Sequence, residues 1–175
     1  DNASSRGLGD VYKRQTFDDA QNEAQKQLNN DSIFIHPFDD KEVIEGQGTV
    51  AIEILDQIDK HFDYLVIPIG GGGLIAGIIS VFKELSPKTK ILGVEAEGAP
   101  AMAESIKQNK IIELKKIDNF VDGVSIKKIG KIPFEICKEY LDDLIIVPEG
   151  KICQTILELY NKDGIVVEPA GAIGI

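Results

Sequence analysis

The 175 residues are 43% hydrophobic, enough for one globular domain with a real core or for a domain plus a piece of another, which excludes a disordered or collagen-like chain. A formal net charge of -10 repels a phosphodiester backbone over most of the surface and argues against nucleic-acid binding, while small sites stay open to anions. No apolar run reaches the roughly 20 residues of a membrane span: even Leu74 to Leu85 is broken by Gly77, Lys83 and Glu84. Two cysteines, Cys137 and Cys153, are too few for a disulfide framework and fit a reducing cytosol.

Residues 1–15 show neither helical nor strand periodicity. Both arginines, Arg6 and Arg14, lie there, whereas every basic residue beyond Gln15 is lysine. This stretch reads as a non-native or disordered segment, resembling read-through of cloning DNA. From Thr16 a capping-box-like start with Asp19 predicts a helix with Phe17, Ala20, Ala24 and Leu28 on one face, ended by Asn29, Asn30 and Asp31. Ser32 to His36 reads as a short strand. After the Pro37 to Asp40 turn, Gly46-Gln47-Gly48-Thr49 reads as a break before a helix that turns Val50, Ile54 and Ile58 inward and ends near His61.

Tyr64 to Ile69 is a continuous apolar strand of the kind buried on both faces, and it runs straight into four glycines. Helix, strand and helix follow over Leu74 to Leu85, Lys90 to Val94 and Ala101 to Asn109. The pattern continues with a helix at Phe134 to Leu141, a strand at Leu144 to Val147, a helix at Ile152 to Tyr160 and a strand at Ile165 to Val167. Glu168-Pro169-Ala170-Gly171 then opens a helix that the sequence does not complete. Strands alternating with helices, and no hairpin signal, predict an α/β fold with a mostly parallel sheet covered by helices on both faces.

Gly70-Gly71-Gly72-Gly73 between a strand and a helix leaves backbone N–H groups free to point at an anion, with no Cβ to block its approach. The helix N-terminus adds partial positive charge, so the loop forms a phosphate site although no lysine or arginine occurs between Lys60 and Lys83. A flexible linker would have polar flanks. Here Ile67-Pro68-Ile69 and Leu74-Ile75-Ala76 press in from both sides. The same residues satisfy G-x-G-x-x-A over Gly71 to Ala76, with Glu95 about where a ribose-binding acid belongs, so spacing also admits a nicotinamide-dependent oxidoreductase. A complete βα unit preceding the glycines favours the phosphate reading without a dinucleotide.

His36-Pro37-Phe38-Asp39-Asp40, Gly46-Gln47-Gly48-Thr49 and Ile67 to Gly77, in this order and spacing, resemble the serine/threonine dehydratase family. Gly93 to Glu97, Val121-Asp122-Gly123-Val124, Glu139 to Asp143 and Val167 to Ala172 extend the resemblance over residues 16–175. The resemblance implies fold type II and pyridoxal 5'-phosphate as cofactor, its phosphate bound by Gly70, Gly71, Gly72, Gly73 and the Leu74 amide. It also places Gly123, Glu168 and Gln47 near the cofactor. For Glu168 stabilisation of the next helix N-terminus, and for Gln47 a bend at its flanking glycines, are the alternatives.

Within the family the Glu95-Ala96-Glu97 and Cys137 to Asp143 stretches are nearer the threonine ammonia-lyases than the serine racemases or serine dehydratases. The expected reaction is β-elimination of L-threonine to 2-oxobutanoate and ammonia, with an amino-acid substrate and partners of the chain's own kind. Residues 16–36 then close the small domain and 37–175 form an incomplete large one. The family's Schiff-base lysine motif and substrate-carboxylate loop do not appear in this sequence, so the chain alone is expected to be inactive. Some members bind a cation through an acid at the position of Glu95, which makes Glu95 a weak metal candidate; the aspartate expected six residues on is Ala101. Its alternative is a solvated acid at a strand end. His36 and His61 have no partner at metal-ligand spacing. Both cysteines read as buried thiols, and Asp40 as a helix cap.

Overall fold

Three aliphatic stretches form parallel strands in the computed structural model, which describes residues 17–175. They are β1 (Tyr64–Pro68), β2 (Lys90–Ala96) and β3 (Asp143–Val147), in the order β1-β2-β3. Ile67 lies opposite Gly93 and Gly93 opposite Leu144, so β2 is central and paired along both edges. The expectations for Thr16 and for residues 1–15 lie outside the described residues. The chain divides into two compact units between Ile35 and His36.

In the first unit, α1 (Phe17–Lys26) carries Asp18 and Asp19 in its first turn and Lys26 in its last, the arrangement a helix dipole favours. It ends earlier than expected. Asn29 Oδ1 then accepts from the Asp31 amide (2.9 Å) and the Ser32 hydroxyl (2.8 Å). The strand expected at Ser32 to His36 is irregular, with Ile33 90% exposed, because no described strand offers it a ladder.

In the second unit Asp40 opens α2 (Lys41–Gln57), its Oδ1 accepting from the Glu42 and Val43 amides at 2.9 and 3.2 Å. This helix runs through Gly46 and Gly48 instead of breaking there. It buries Ile44, Gly48 and Ala51, whereas Val50 and Ile58, expected inward, are exposed. The reason is helix packing. A Cβ on Gly48 would meet the Gly77 carbonyl oxygen at 3.3 Å, so the glycines let α2 lie against α3 (Gly73–Leu85).

The two sides of β2 feed two cores. Ile67 and Ile91 join Ile75, Ile79 and Phe82 of α3, Met102 of α4 (Ala101–Lys107) and Phe134 of α5 (Lys131–Tyr140). Val94 and Ala96 face the other way, toward Val124, Ile152 of α6 (Glu149–Glu158) and Ala172 of α7 (Pro169–Ala172). Phe82, Ile75 and Ile79 are fully buried, each contributing about 1.5–3 kcal/mol.

Two further expectations are corrected. Past α6 the backbone widens into a π turn at Leu159–Asp163, stopped by left-handed Gly164 (φ 67°). Ile165 to Val167 then forms no strand, and Val166 is 82% exposed, for want of a pairing neighbour among the described residues. Cys137 is buried, but Cys153 is exposed, because α6 directs the adjacent Ile152 inward. Among the described residues no helix is long and apolar enough to cross a membrane.

Candidate functional site

β1 ends against the central strand, where the Ile69 N–H donates to the Val94 carbonyl (2.8 Å), and the chain turns at once into the glycines. Gly72 is the N-cap of α3 in a left-handed conformation (φ 92°, ψ 0°) that L side chains rarely adopt. The first amide of this stretch to find an acceptor is that of Ala76, which donates to Gly72 O at 3.0 Å. The six amides from Gly70 to Ile75 have none among the described residues. Such a run at a helix start is a ready anion cradle.

Neighbouring residues also require glycine at these positions. Cβ atoms on Gly71 and Gly73 would run into Phe38, that on Gly73 lying 3.0 Å from Phe38 Cβ. One on Gly70 would lie 3.0 Å from Val124 Cα, and one on Gly72 would lie 2.6 Å from Pro133 Cβ. Phe38 is held by a turn in which His36 Nδ1 accepts from the Asp39 amide (2.9 Å), and the two rings meet edge-on at 4.6 Å. Asp39 Oδ1 accepts from the Ile132 amide (2.8 Å) at the start of α5, and Gly130 N–H donates to Gly71 O (3.1 Å). The cradle is therefore clamped from both ends. Phe38 and Val124 stand in the sequence only as members of the motifs His36 to Asp40 and Val121 to Val124, and Pro133 carries no local signal for this contact.

A cleft of about 370 Å³ opens over this loop at the C-terminal end of β1, where open parallel α/β sheets bind ligands. Gly70, Gly71, Gly72, Gly73 and Leu74 line it together with Gln47, Gly123 and Glu168. The residues singled out in the sequence thus meet in one place, apart from Glu95. Gly123 lies in the 3-10 turn Asp122–Val124, where a Cβ would be 2.9 Å from Ala170 Cβ and 3.7 Å from Glu168 Oε1. Glu168 occupies the N-cap position of α7, its side chain makes no capping bond, and among the described residues it is the one ionisable residue in the lining.

Glu95 is the correction. It is 0% exposed, not a solvated acid, and its Oε1 and Oε2 accept from the Met102 and Ala103 amides at 2.7 and 2.8 Å. Burial pushes its pKa up to about 7, with Glu104 adding to the rise and the two amides opposing it. Both carboxyl oxygens are occupied by amides, and no three His, Cys, Asp or Glu side chains cluster as a metal site among the described residues. The geometry thus gives the cation role no support. The same burial removes Glu95 from any part in holding a ribose.

Cradle and cleft belong to an α/β protein with a row of acceptor-free amides at the carboxyl end of a strand, an arrangement suited to an anion. The chain belongs to the pyridoxal-phosphate dependent enzyme family, whose model matches residues 8–175. This overturns the nicotinamide alternative. The chain is 58% identical over 161 residues to the biosynthetic L-threonine dehydratase IlvA of Halalkalibacterium halodurans, covering 91% of itself and 39% of that protein. Among solved structures, the processed threonine deaminase isoform 2 of Solanum lycopersicum superposes with a TM-score of 0.77 at 39% identity, over 80% of this chain and 40% of that one. Maize serine racemase gives 0.77 at 36%, over 82% and 43%. The chain therefore spans about two fifths of the relatives it matches. The family's cofactor fits what is present: six amides without acceptors suit a phosphate, and the cleft is of small-ligand size.

Proposed function

We propose that the full-length protein containing this chain is a threonine ammonia-lyase that converts L-threonine to 2-oxobutanoate and ammonia, the first step of isoleucine biosynthesis. The observation that carries the reading is the acceptor-free amide cradle Gly70 to Ile75, found in a chain 58% identical to a biosynthetic threonine dehydratase. The cradle holds the cofactor phosphate through backbone N–H groups and the helix dipole, without a cationic side chain. Phe38 packs against Gly71 and Gly73 at the cleft and leaves no room for a Cβ at either position. Gln47 and Glu168 present an amide and a carboxylate to the cleft, able to orient polar atoms of cofactor or substrate. When bound, the cofactor supplies an electron sink that lets the substrate's Cα–H bond ionise and its β-hydroxyl depart.

The domain reading belongs to the same proposal: 16–36 as the end of the small domain and 37–175 as part of the large one. The division between Ile35 and His36 supports it. Assembly with copies of itself and a cytosolic location are proposed as well, the first checked by size-exclusion chromatography of the full-length protein.

The deciding experiment assays full-length protein with L-threonine and L-serine, following keto acid, ammonia and serine chirality. Faster keto-acid release from threonine is expected. Interconversion of serine enantiomers without threonine turnover would replace this reading by a racemase. Among the described residues no lysine lines the cleft, and the family's Schiff-base lysine motif does not appear in this sequence, so the 175-residue chain alone is expected to release no ammonia from threonine.

A further inference from the structure

Among the described residues Glu95 is the one acid or base that the core takes in completely. A buried carboxyl is costly unless its oxygens are satisfied, so what it bonds is informative. Its two partners are amides in the first turn of α4, a helix whose N-cap, Pro100, makes no side-chain cap bond. Glu95 thus caps α4 from the end of β2. Ser105, also fully buried, ties the other end of α4, its Oγ donating to Ala101 O (2.7 Å) and accepting from the Ile112 amide (3.1 Å).

The residue whose amide Glu95 holds most closely reaches the cradle. Met102 is fully buried, and its Cε lies 3.2 Å from where a Cβ on Gly72 would stand, while Pro133 closes on the same point from α5. Gly72, with its φ of 92°, begins α3 and lies among the acceptor-free amides. We propose that Glu95 is a positioning residue for the phosphate cradle: by fixing the first turn of α4 it seats Met102 behind Gly72, so that the amides of Gly72 to Leu74 converge on one anion. Glu95 touches neither cofactor nor substrate and acts through Met102. The inference rests on the cradle being the phosphate site.

The test uses full-length apoprotein titrated with pyridoxal 5'-phosphate and, separately, with pyridoxal, which lacks the phosphate; binding is followed by absorbance, and the bound phosphate by its ³¹P resonance. Wild-type protein must prefer the phosphorylated form, and equal affinities would remove the cradle reading itself. Given that preference, Glu95→Ala is expected to weaken pyridoxal 5'-phosphate by about tenfold, the scale of one hydrogen bond to a charged group. It should also shift the ³¹P resonance and leave pyridoxal binding unchanged. Glu95→Gln, which retains one acceptor oxygen, should fall between. An intact preference in these variants, or equal loss of both ligands, overturns the positioning role. Should Glu95→Ala fail to fold, Met102→Ala decides: it leaves the Glu95 bonds in place and removes the wedge. The same phosphate-selective loss is expected, and an unchanged preference overturns the proposal.

Discussion

Gly77 and Gly48 face each other where α3 crosses α2: a Cβ on Gly77 would stand 2.6 Å from the Gly48 amide nitrogen and 2.5 Å from Ile44 O. Backbone cannot yield as a flexible side chain would. Gly77→Ala is therefore expected to destabilise the full-length protein by about 2–3 kcal/mol in urea unfolding, although alanine is the better helix former. Gly46 is the control in the same helix pair. Nothing lies within 4 Å of its would-be Cβ, so Gly46→Ala should stabilise by about 0.5–1 kcal/mol. Equal effects of the two would refute the close crossing.

Gly72→Ala combines a left-handed backbone with a Cβ 2.6 Å from Pro133 Cβ. A cost of roughly 1–3 kcal/mol in stability follows from the strain alone. Relaxing that strain turns the cradle amides, so pyridoxal 5'-phosphate affinity should fall as well. Unaltered cofactor titration in this variant would contradict the placement of the phosphate.

Glu95 predicts a pH dependence of stability. Its folded pKa of about 7 stands above the ordinary 4.5, so the folded state binds the proton more tightly than the unfolded chain. The associated stability is fully present below pH 4.5 and is lost as pH rises through 7, by up to about 3 kcal/mol. Wild-type unfolding free energy should fall between pH 5 and 8 relative to Glu95→Gln, which lacks the titrating proton. Parallel profiles for the two proteins would contradict the raised pKa.

Burial, with a smaller contribution from Glu95, pushes the Cys137 thiol up to about 12 from its usual 9.0. Because only the thiolate attacks, folded Cys137 should react with iodoacetamide roughly a thousandfold more slowly than the same residue in denatured protein. Peptide mass spectrometry after timed quenching measures this. Comparable rates would mean that α5 does not seal the residue.

Periodicity was sufficient for the parallel α/β order, because buried strands and amphipathic helices have different repeats that survive in the sequence. It failed where partners decide. Ser32 to His36 and Ile165 to Val167 have strand composition, yet a strand exists only with a ladder, and no described strand supplies one. Gly46 and Gly48 read locally as a break, whereas packing against Gly77 makes one of them a contact point within a continuous helix.

The site divides in the same way. The tetraglycine loop was legible because a strand running into glycines and then a helix has one local consequence, a row of free amides. Sequence by itself therefore determined the row of free amides, its place after a buried strand, and the motifs that resemble a cofactor family. Tertiary structure decided that Phe38, Pro133 and Val124 pack against those glycines, and it gathers Gln47, Gly123 and Glu168, which the resemblance expects near a cofactor, on one cleft. It also made Glu95 a buried cap instead of a solvated acid. The reason is physical: local pattern specifies backbone conformation, whereas burial and hydrogen-bond partners depend on residues brought together from distant parts of the chain.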